Sequence, residues 1–385
     1  MPAAQFEARD LSLGASTALV HDYMTQVGGA ERVAGHLARA LPDARLLTSV
    51  HDEGVVPLRY IGGRAWRTSY LQPAAGRVPL KLMLPLLPSA IGSLDVSGRD
   101  LVISSTSGFA HHIRKAPGAR HIAFCSTPPR FLWRSQEYFR GNAKQRLGLS
   151  PLLSMLRRLD LRAAEDVDTY VAVSQHIATR IREIYGREAI VVHPPVEVER
   201  FTPSRERSGR FIVVSRLVRA KHVDLAVETA NRYGLPLDVI GRGPELSHLR
   251  RQAGSTVRVQ GWLPDAEVRR AMAECVAVVI AGEEDFGLVT AEAQASGRPP
   301  VAFASGGALE IIDHCTTGYL FEQQTPESLA AAMHEARDRA LDTVDLVASA
   351  QRFSLPNFLA AFQRVIETST SPHARPSDST EAVPA

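Results

Sequence analysis

Short apolar runs alternate with amphipathic stretches through the first half of the chain. The runs lie at residues 16–20, 100–104, 121–125 and 169–174, and the segment from Gly29 to Leu41 places apolar residues at helical spacing. This alternation predicts buried parallel strands joined by crossover helices.

The same alternation begins again near residue 210. Its apolar runs cover residues 210–215, 237–241, 257–261, 276–282 and 299–303, with helix-like segments between them. The sequence therefore predicts an α/β protein with two similar units. Because ligands of open parallel sheets bind beyond the carboxyl ends of the strands, we expect the functional residues in strand-to-helix turns that face a cleft between the units.

Three prolines and a run of charges between residues 193 and 208 break both periodicities and predict a linker. We therefore expect an N-terminal domain over residues 1–195 and a C-terminal domain over residues 196–368. The remainder, residues 369–385, is rich in Pro, Ser and Ala, which predicts a disordered tail.

Composition narrows the class of protein. Among 385 residues, 44 Lys and Arg oppose 41 Asp and Glu, and this formal charge of +3 disfavours a dedicated nucleic-acid binder. Cys125, Cys275 and Cys315 are far apart and lack C-x-x-C spacing, so neither a disulfide framework nor a zinc cluster is indicated.

The location expected from these features is cytoplasmic. The N-terminal sequence lacks the basic and apolar regions of a secretory signal. The longest apolar stretch, Leu80 to Ile91, is about twelve residues and is too short to cross a bilayer, which needs roughly 20.

Two carboxylates eight positions apart follow the run at residues 276–282. We expect Glu284 on the loop after the strand and Glu292 in the next helix, so that both can face one ligand at the helix N-terminus. On spacing alone, the pair is more typical of a solvated helix residue and an acidic residue near a helix N-terminus. Backbone N–H groups in the first turn suit a phosphate, and Gly287 lets the backbone approach it closely. The residues expected to bind at this turn are Phe286, Gly287, Leu288 and Val289.

The string from Ala281 to Phe303 resembles the donor-site signature of retaining glycosyltransferases of family 4, across the strand, both acids, the Phe-Gly-Leu turn and residues 293–299. The resemblance implies GT-B architecture, with two Rossmann-like domains whose parallel sheets face each other across a cleft. It implies an acceptor in the N-terminal domain and a nucleotide-sugar donor in the C-terminal domain. In this family Glu284 would hold hydroxyls of the transferred sugar and Glu292 the nucleotide ribose.

Two further strings resemble the same family. Gly28 and Gly29, opening the first helix, resemble its N-domain glycine loop, although a Gly-Gly pair is also an ordinary turn. Residues 215–221 resemble its S-R-x(4)-K element. Arg216 supplies a planar donor fork and Lys221 a point charge, a combination that suits a diphosphate leaving group.

A third string, at Gly241 and Gly243, begins like a dinucleotide fingerprint, but Leu246 occupies the third glycine position. A nicotinamide dehydrogenase is therefore disfavoured, and the string resembles a turn near the nucleotide in family 4. Gly306 and Gly307 resemble a later Gly-Gly-x-x-Glu turn, for which a structural and a functional role are both open.

The chain departs from the family at Ser126. Members of the family that share residues 127–133 commonly have a histidine at the position of Ser126. That histidine is credited with contacting the transferred sugar. Serine can hydrogen-bond a sugar but cannot carry positive charge near the diphosphate. His111 and His112 are the nearest candidates in sequence to replace it, although a histidine pair on a loop is often structural.

Two segments allow alternative interpretations. One is an aromatic cluster that could stack against an acceptor sugar or belong to the core. The other pairs Leu80 to Ile91 with Arg140 to Arg162, and it could rest on an anionic membrane surface or form buried helices with snorkelling arginines. The cluster comprises Phe131, Trp133, Tyr138 and Phe139, with Arg130 and Arg134 beside them.

The resemblance implies a retaining hexosyltransferase that moves a sugar from a nucleotide sugar to a saccharide or lipid-linked acceptor. GDP-mannose is the first choice of donor, because the strings around Glu284 and Arg130 look most like those of bacterial mannosyltransferases. We expect no cofactor beyond this co-substrate, no nucleic-acid partner, and no essential metal, because no D-x-D motif stands at a strand end in a donor position. Contact with the inner face of the membrane stays open.

Two alternatives share this architecture. A sugar-nucleotide epimerase would act on the donor alone. A catalytically weak donor-binding subunit that activates a partner transferase would fit the serine at position 126.

Overall fold

The computed structural model describes residue 11 and residues 16–135 and 148–370. Within these ranges the strands form two sheets. The first contains β1 (Thr17–His21), β2 (Arg45–Thr48), β3 (Arg67–Thr68), β4 (Leu101–Thr106), β5 (Arg120–Cys125), β6 (Thr169–Ala172) and β7 (Ala189–Val191). The second contains β8 (Phe211–Val214), β9 (Leu237–Ile240), β10 (Val257–Gly261), β11 (Val278–Ile280), β12 (Pro300–Phe303) and β13 (Tyr319–Phe321).

Both sheets have a doubly wound order. The spatial order is β3-β2-β1-β4-β5-β6-β7 in the first and β10-β9-β8-β11-β12-β13 in the second. Neighbouring strands pair in parallel in both sheets. The prediction of two parallel α/β units is therefore confirmed. We call the unit built on the first sheet the N-lobe and the other the C-lobe.

Helices connect the strands and cover the sheets. Those of the N-lobe segment are α1 (Gly29–Ala40), α2 (Leu80–Met83), α3 (Leu87–Gly92), α4 (Arg130–Trp133), α5 (Ser150–Glu165) and α6 (Gln175–Tyr185). Those that follow are α7 (Val223–Tyr233), α8 (Leu246–Gln252), α9 (Asp265–Glu274), α10 (Leu288–Ala295), α11 (Ala308–Ile311), α12 (Pro326–Asp338), α13 (Thr343–Gln351) and α14 (Leu355–Thr370).

The apolar runs become strands because helices lie on both faces of each sheet. Every residue of β1 and β4 is buried, which explains why three consecutive apolar residues stand in each strand (18–20 and 101–103) instead of an alternation. On the helices only one face is apolar: in α1, Val33 and Leu37 are buried while Arg32 is exposed. The α6 helix is capped by Ser174, whose Oγ accepts a hydrogen bond from Ile177 N at 3.1 Å.

The last helix returns to the first sheet. The rings of Phe358 and Phe362 in α14 lie 5.8 and 6.0 Å from that of Phe124 in β5. Burial of each phenylalanine contributes about 1.5–3 kcal/mol relative to exposure. Residues 196–368 therefore do not form one unit as we expected, because an apolar helix face covers whichever sheet has an open surface, and here that sheet is distant in sequence.

The chain crosses between the lobes twice, and the two crossings are bonded to each other. Val196 N donates to Phe353 O at 2.7 Å, and Val196 also forms a bridge with Ser354. The first crossing lies inside the predicted linker. The predicted tail begins within α14, since the helix continues to Thr370, and residues 371–385 lie outside the described part of the chain.

The two described rings of the aromatic cluster, Phe131 and Trp133, pack against the core. The rings of Phe131 and Phe109 meet edge to face at 5.5 Å, and Trp133 Nε1 donates to the buried carboxylate of Asp160 at 2.7 Å. Of the two interpretations, packing rather than sugar stacking applies to Phe131 and Trp133. Tyr138 and Phe139 lie outside the described residues.

Candidate active site

Glycines hold three loops of the C-lobe together at the carboxyl ends of β8, β9 and β11. A Cβ atom on Gly241 or Gly243 would lie 1.8 or 2.3 Å from a carbonyl oxygen of the turn at residues 215–217. One on Gly282 would lie 2.9 Å from Lys221 Cα. Since no side chain fits at these positions, the predicted glycine strings bring the loops of Arg216, Lys221 and Glu284 into one surface.

Lys221 and Glu284 form an ion pair on this surface. The Lys221 ammonium donates to Glu284 Oε2, and the two side chains are 15% and 22% exposed. Glu284 is extended and bridges to Gly306, while Gly307 N donates to Glu284 O at 2.9 Å. The backbone of the Gly306–Gly307 turn therefore holds the loop of Glu284 in place, which is a structural role.

The loop then enters helix α10 through a glycine. Gly287 has φ +105°, a left-handed conformation that favours glycine, and the helix begins at Leu288. The N–H groups of Leu288 and Val289 stand in the first turn, where a helix offers no internal acceptor. They are placed where the sequence predicts a phosphate-binding turn. Phe286, in contrast, turns its side chain away and stacks on His193, with ring centroids 5.3 Å apart, because a large apolar ring is more stable in the core.

The start of α1 meets the start of α10 across the lobes. A Cβ atom on Gly29 would lie 2.7 Å from Leu288 Cδ1. Gly28 is the N-cap residue of α1 and has extended backbone. The positive ends of two helix dipoles therefore lie beside the same gap, an arrangement that attracts negative charge.

Arg216 extends from the C-lobe into this gap. It is exposed, and its Nη1 donates to Gln26 Oε1 of the N-lobe at 3.1 Å. Gln26 in turn donates to the buried carboxylate of Glu31 at 3.2 Å, and burial raises the pKa of Glu31. Gln26 therefore links the Arg216 guanidinium of the C-lobe to Glu31 of the N-lobe.

Glu292 also faces the other lobe. Arg32 Nη1 donates to Glu292 Oε1 at 3.2 Å, and desolvation raises the pKa of Glu292 although Arg32 opposes the shift. The second glutamate of the spaced pair thus lies at the lobe boundary on helix α10. Arg216 and Glu292 therefore both contact the N-lobe, while Lys221 and Glu284 pair with each other in the C-lobe.

Three arginines on the N-lobe, which the sequence did not single out as a set, bind the acids that flank Glu284. Along an extended strand neighbouring side chains alternate, so Glu283 and Asp285 face away from Lys221 and toward the N-lobe. We call these five residues the arginine cluster: Arg130, Arg134, Arg180, Glu283 and Asp285.

The bonds of the arginine cluster are short. Arg134 Nη1 and Arg180 Nη2 lie 2.6 and 2.8 Å from Glu283 Oε1. Arg130 pairs with Asp285, and Arg180 Nη1 lies 3.3 Å from the same carboxylate. The His176 ring and the Arg134 guanidinium lower the pKa of Glu283. No sequence pattern could have paired these residues, since they are more than 100 positions apart.

Glu310 joins the lobes at a second point. Its carboxylate accepts hydrogen bonds from Gln175 N at 2.9 Å and His176 N at 3.2 Å, at the N-terminus of α6. The glutamate of the Gly-Gly-x-x-Glu string thus caps a helix of the other lobe, where a carboxylate is stabilised by the helix dipole.

His112 lies in the core of the N-lobe, which corrects its listing as a candidate catalytic residue and favours the structural role. Its side chain is 7% exposed, and Nε2 lies 3.2 Å from Asp160 Oδ1, which His111 Nε2 approaches at 3.0 Å. Burial lowers the pKa of His112. The side chains of His111, His112, Trp133 and Tyr185 surround this carboxylate, so the histidines serve the core of the N-lobe.

These atoms of His111, His112 and Asp160 are close enough to share a metal ion. However, Asp160 Oδ2 already accepts hydrogen bonds from Trp133 and Tyr185 at 2.7 and 2.8 Å. Both oxygens of Asp160 thus have partners among the side chains of the N-lobe core. Ser126 follows β5 directly and is half-buried, with its N–H bonded to Thr106 O at 2.8 Å.

Two family models match successive parts of the chain. One described as Glycosyltransferase Family 4 matches residues 27–200, and one described as Glycosyl transferases group 1 matches residues 208–338. The gap between the matches falls in the predicted linker. The chain belongs to the family-4 glycosyltransferases, as the spaced acids and the glycine strings predicted.

The chain is also similar to curated relatives, mainly over parts of their length. It is 29% identical over 251 residues to D-inositol 3-phosphate glycosyltransferase from Geodermatophilus obscurus (52% of this chain, 56% of the relative). It is 33% identical over 171 residues to glycogen synthase from Xanthomonas campestris pv. campestris (42% and 33%). It is 29% identical over 225 residues to GDP-mannose-dependent alpha-(1-6)-phosphatidylinositol monomannoside mannosyltransferase from Mycobacterium tuberculosis (49% and 58%). The matches thus span about a third to three fifths of these relatives.

Among solved structures, the chain resembles Anabaena HepE in complex with UDP and glucose. The TM-score is 0.71 at 18% sequence identity, covering 92% of this chain and all of the other. At this identity the likeness shows the fold, which is the two-domain GT-B fold.

Proposed function

We propose that this protein is a retaining glycosyltransferase that moves a hexose from a nucleoside diphosphate sugar to a saccharide or lipid-linked acceptor. The observation that carries the proposal is the Lys221–Glu284 pair, set beside Arg216 and the first turn of α10 at the carboxyl ends of the C-lobe strands. Cations and free N–H groups suit the diphosphate, and the carboxylate suits sugar hydroxyls.

The roles of these residues in the mechanism follow from the negative charge that develops on the leaving group. As the bond between the sugar and the diphosphate breaks, negative charge accumulates on the diphosphate. Arg216, Lys221 and the N–H groups of Leu288 and Val289 would stabilise that charge, and preorganised donors of this kind do so without reorganisation. Glu284 would hold the sugar and Glu292 the ribose, while the N-lobe would hold the acceptor.

For the donor we propose GDP-mannose. Support comes from the strings around Glu284 and Arg130, which look like those of mannosyltransferases, and from the relative in Mycobacterium tuberculosis that is named GDP-mannose-dependent. UDP-hexoses are the second choice, because the Anabaena structure contains UDP and glucose.

A thermal-shift screen of GDP, UDP and their sugars tests the proposal. A ligand present at one hundred times its Kd adds about 2.7 kcal/mol to the free energy of unfolding. We expect GDP and GDP-mannose to raise Tm more than UDP and UDP-glucose. Absence of a shift with every nucleotide would contradict a donor site.

Incubation with the donor then separates transfer from the alternative epimerase. Formation of an epimer from the donor alone would favour the epimerase, whereas sugar appearing on an added acceptor supports transfer. Nucleotide binding without turnover would favour a donor-binding subunit, the role that Ser126 suggests.

We also propose that the N-lobe contacts the inner face of the membrane. Leu82 and Leu86 are 69% and 48% exposed, and Met155 on α5 is 43% exposed. Arg157 turns inward, donating to Leu132 O at 2.6 Å, and Arg146 lies outside the described residues. Within the described ranges, the helices lack the length and hydropathy needed to cross a bilayer. Co-sedimentation with anionic vesicles, compared for the wild type and Leu82→Ser, checks the contact.

A further inference from the structure

The side chain of Gln26 connects the two lobes beside Arg216. Gln26 lies on the loop between β1 and α1 and is half-buried. Its Oε1 accepts a hydrogen bond from Arg216 Nη1 of the C-lobe at 3.1 Å, and its Nε2 donates to Glu31 Oε1 of the N-lobe at 3.2 Å. The amide is therefore the middle member of a chain of three side chains that crosses the gap between the lobes.

Glu31 anchors this chain of side chains in the N-lobe. It is the third residue of α1 and is 3% exposed. Its carboxyl group folds back over the first turn of the helix, since a Cβ atom on the N-cap residue Gly28 would lie 2.7 Å from Glu31 Oε2. The positive end of the helix dipole favours a carboxyl group there. Burial raises the pKa of Glu31, but Oε1 can accept the bond from Gln26 in either protonation state.

The loop that carries Gln26 is held in place as well. Met24 is buried, its N–H group donates to Val50 O, and its carbonyl oxygen accepts from Asp52 N, both at 2.8 Å. Gln26 follows two residues later, so its backbone stays close to the gap. The Gln26 amide is thus fixed through its own loop and through the carboxyl group of Glu31.

Arg216, in contrast, depends on Gln26 for its orientation. The side chain of Arg216 is long and exposed, and within the described ranges its hydrogen-bond partner is Gln26. A guanidinium group only donates and the Glu31 oxygen accepts, so the carbonyl oxygen of the amide has to face Arg216. An arginine that moves freely must be ordered when an anion binds, whereas a preorganised donor stabilises developing charge without that cost.

We propose that Gln26 is a positioning residue for Arg216, which holds the guanidinium group in the gap before the donor binds. This inference rests on the proposed transferase function and adds an N-lobe residue to the stabilisation of the leaving group. Gln26 acts through Arg216 and not on the substrate. Because Gln26 and Glu31 belong to the N-lobe, Arg216 is oriented only while the two lobes are in contact.

A double-mutant cycle on kcat, measured with the full chain, tests the proposal. Gln26→Leu removes both hydrogen bonds and should lower kcat about tenfold, the loss expected for one hydrogen bond to a charged group. The donor KM should change less, since the charge on the diphosphate is greatest in the transition state. In the Arg216→Ala background, Gln26→Leu should have no further effect on kcat, because the guanidinium group that it positions is absent.

Two further variants separate positioning from a general effect on the N-lobe. Glu31→Gln keeps the shape of the anchor, but the new amide can donate to Gln26 Oε1 and compete with Arg216. It should therefore lower kcat only when Arg216 is present. Val27→Ala is the matched control on the same loop, since Val27 is 41% exposed, and it should leave kcat unchanged. Tm is recorded for each variant, and if Glu31→Gln does not fold, the cycle of Gln26 and Arg216 decides alone.

The outcomes are distinct. The proposal is overturned if Gln26→Leu keeps the kcat of the wild type, or if it lowers kcat equally with and without Arg216, because Gln26 would then act independently of the guanidinium group. Neither result contradicts the transferase function. If Arg216→Ala itself keeps the kcat of the wild type, the role of Arg216 in transfer is wrong and the positioning role fails with it. Failure of every nucleotide to raise Tm would instead contradict the donor site.

Discussion

Replacement of Lys221 by alanine tests the proposed chemistry most directly. Lys221 ends the short turn after β8, and its ammonium group is the cation bonded to Glu284. It is 15% exposed, so water cannot substitute freely for its charge. In the transition state this ammonium would face the departing diphosphate.

The expected effect is on kcat. Removal of one preorganised donor from a partly buried site costs about 3–4 kcal/mol of barrier, which is roughly 10² to 10³ in rate. The loss should be at the upper end for Lys221→Ala, because the variant also leaves the Glu284 carboxylate without its counter-charge near a second negative group. Arg216→Ala is expected to fall in the same range, although Arg216 is exposed in the empty protein.

The assay is initial-rate transfer from labelled GDP-mannose, with Tm recorded for each variant to exclude unfolding. Lys221→Arg, which keeps the charge, should recover part of the rate. Arg219→Ala is the matched control: it lies in the same turn, its side chain is 75% exposed, and it approaches Glu245 at 3.6 Å. If folded Lys221→Ala retains kcat within about threefold of the wild type, the assignment of Lys221 to the leaving group is wrong.

Three further changes test other parts of the structure. Glu292→Ala should mainly raise the donor KM in initial-rate kinetics, since a ribose contact is the same in ground and transition states; a pure kcat defect would count against it. Ser126→His should raise kcat by about tenfold by adding a cation near the diphosphate, and an unchanged rate would show that the position is not critical. Burial lowers the pKa of His121 from 6.5 to about 3, so the unfolded chain binds its proton first as the pH falls. The free energy of unfolding from urea titrations should therefore drop by about 2 kcal/mol between pH 7 and pH 5, and His121→Gln should flatten that dependence.

The elements of the fold that could be predicted were those whose structure depends on the residues of the element itself. Runs such as residues 210–215 and 276–282 became β8 and β11, because a strand buried on both faces has to be apolar throughout. Strand β13, Tyr319–Phe321, was missed because its apolar run is bounded by Gly318 and Glu322, whereas β11 lies within a longer run of residues 276–282. The destination of α14 could not be predicted either, because its apolar face specifies burial but not the sheet that it covers.

The same distinction applies to the site. Arg216, Lys221 and Glu284 were found because each follows a strand, and parallel strands deliver their loops to one edge. His112 also follows a strand, yet its ring points into the core and contacts Asp160. Sequence spacing does not show in which direction a side chain points. The arginine cluster was invisible because its partners are brought together by the approach of two lobes rather than by any local turn.

The return of α14 to the N-lobe affects how the protein is made. Phe124 lies in the fifth strand, but the rings that cover it belong to residues 358 and 362, close to the end of the described chain. During synthesis these residues leave the ribosome only after the whole C-lobe has emerged. The first sheet, complete at Val191, therefore keeps an uncovered apolar face while residues 192–354 are made, and nascent chains stalled before α14 should be the species that chaperones retain.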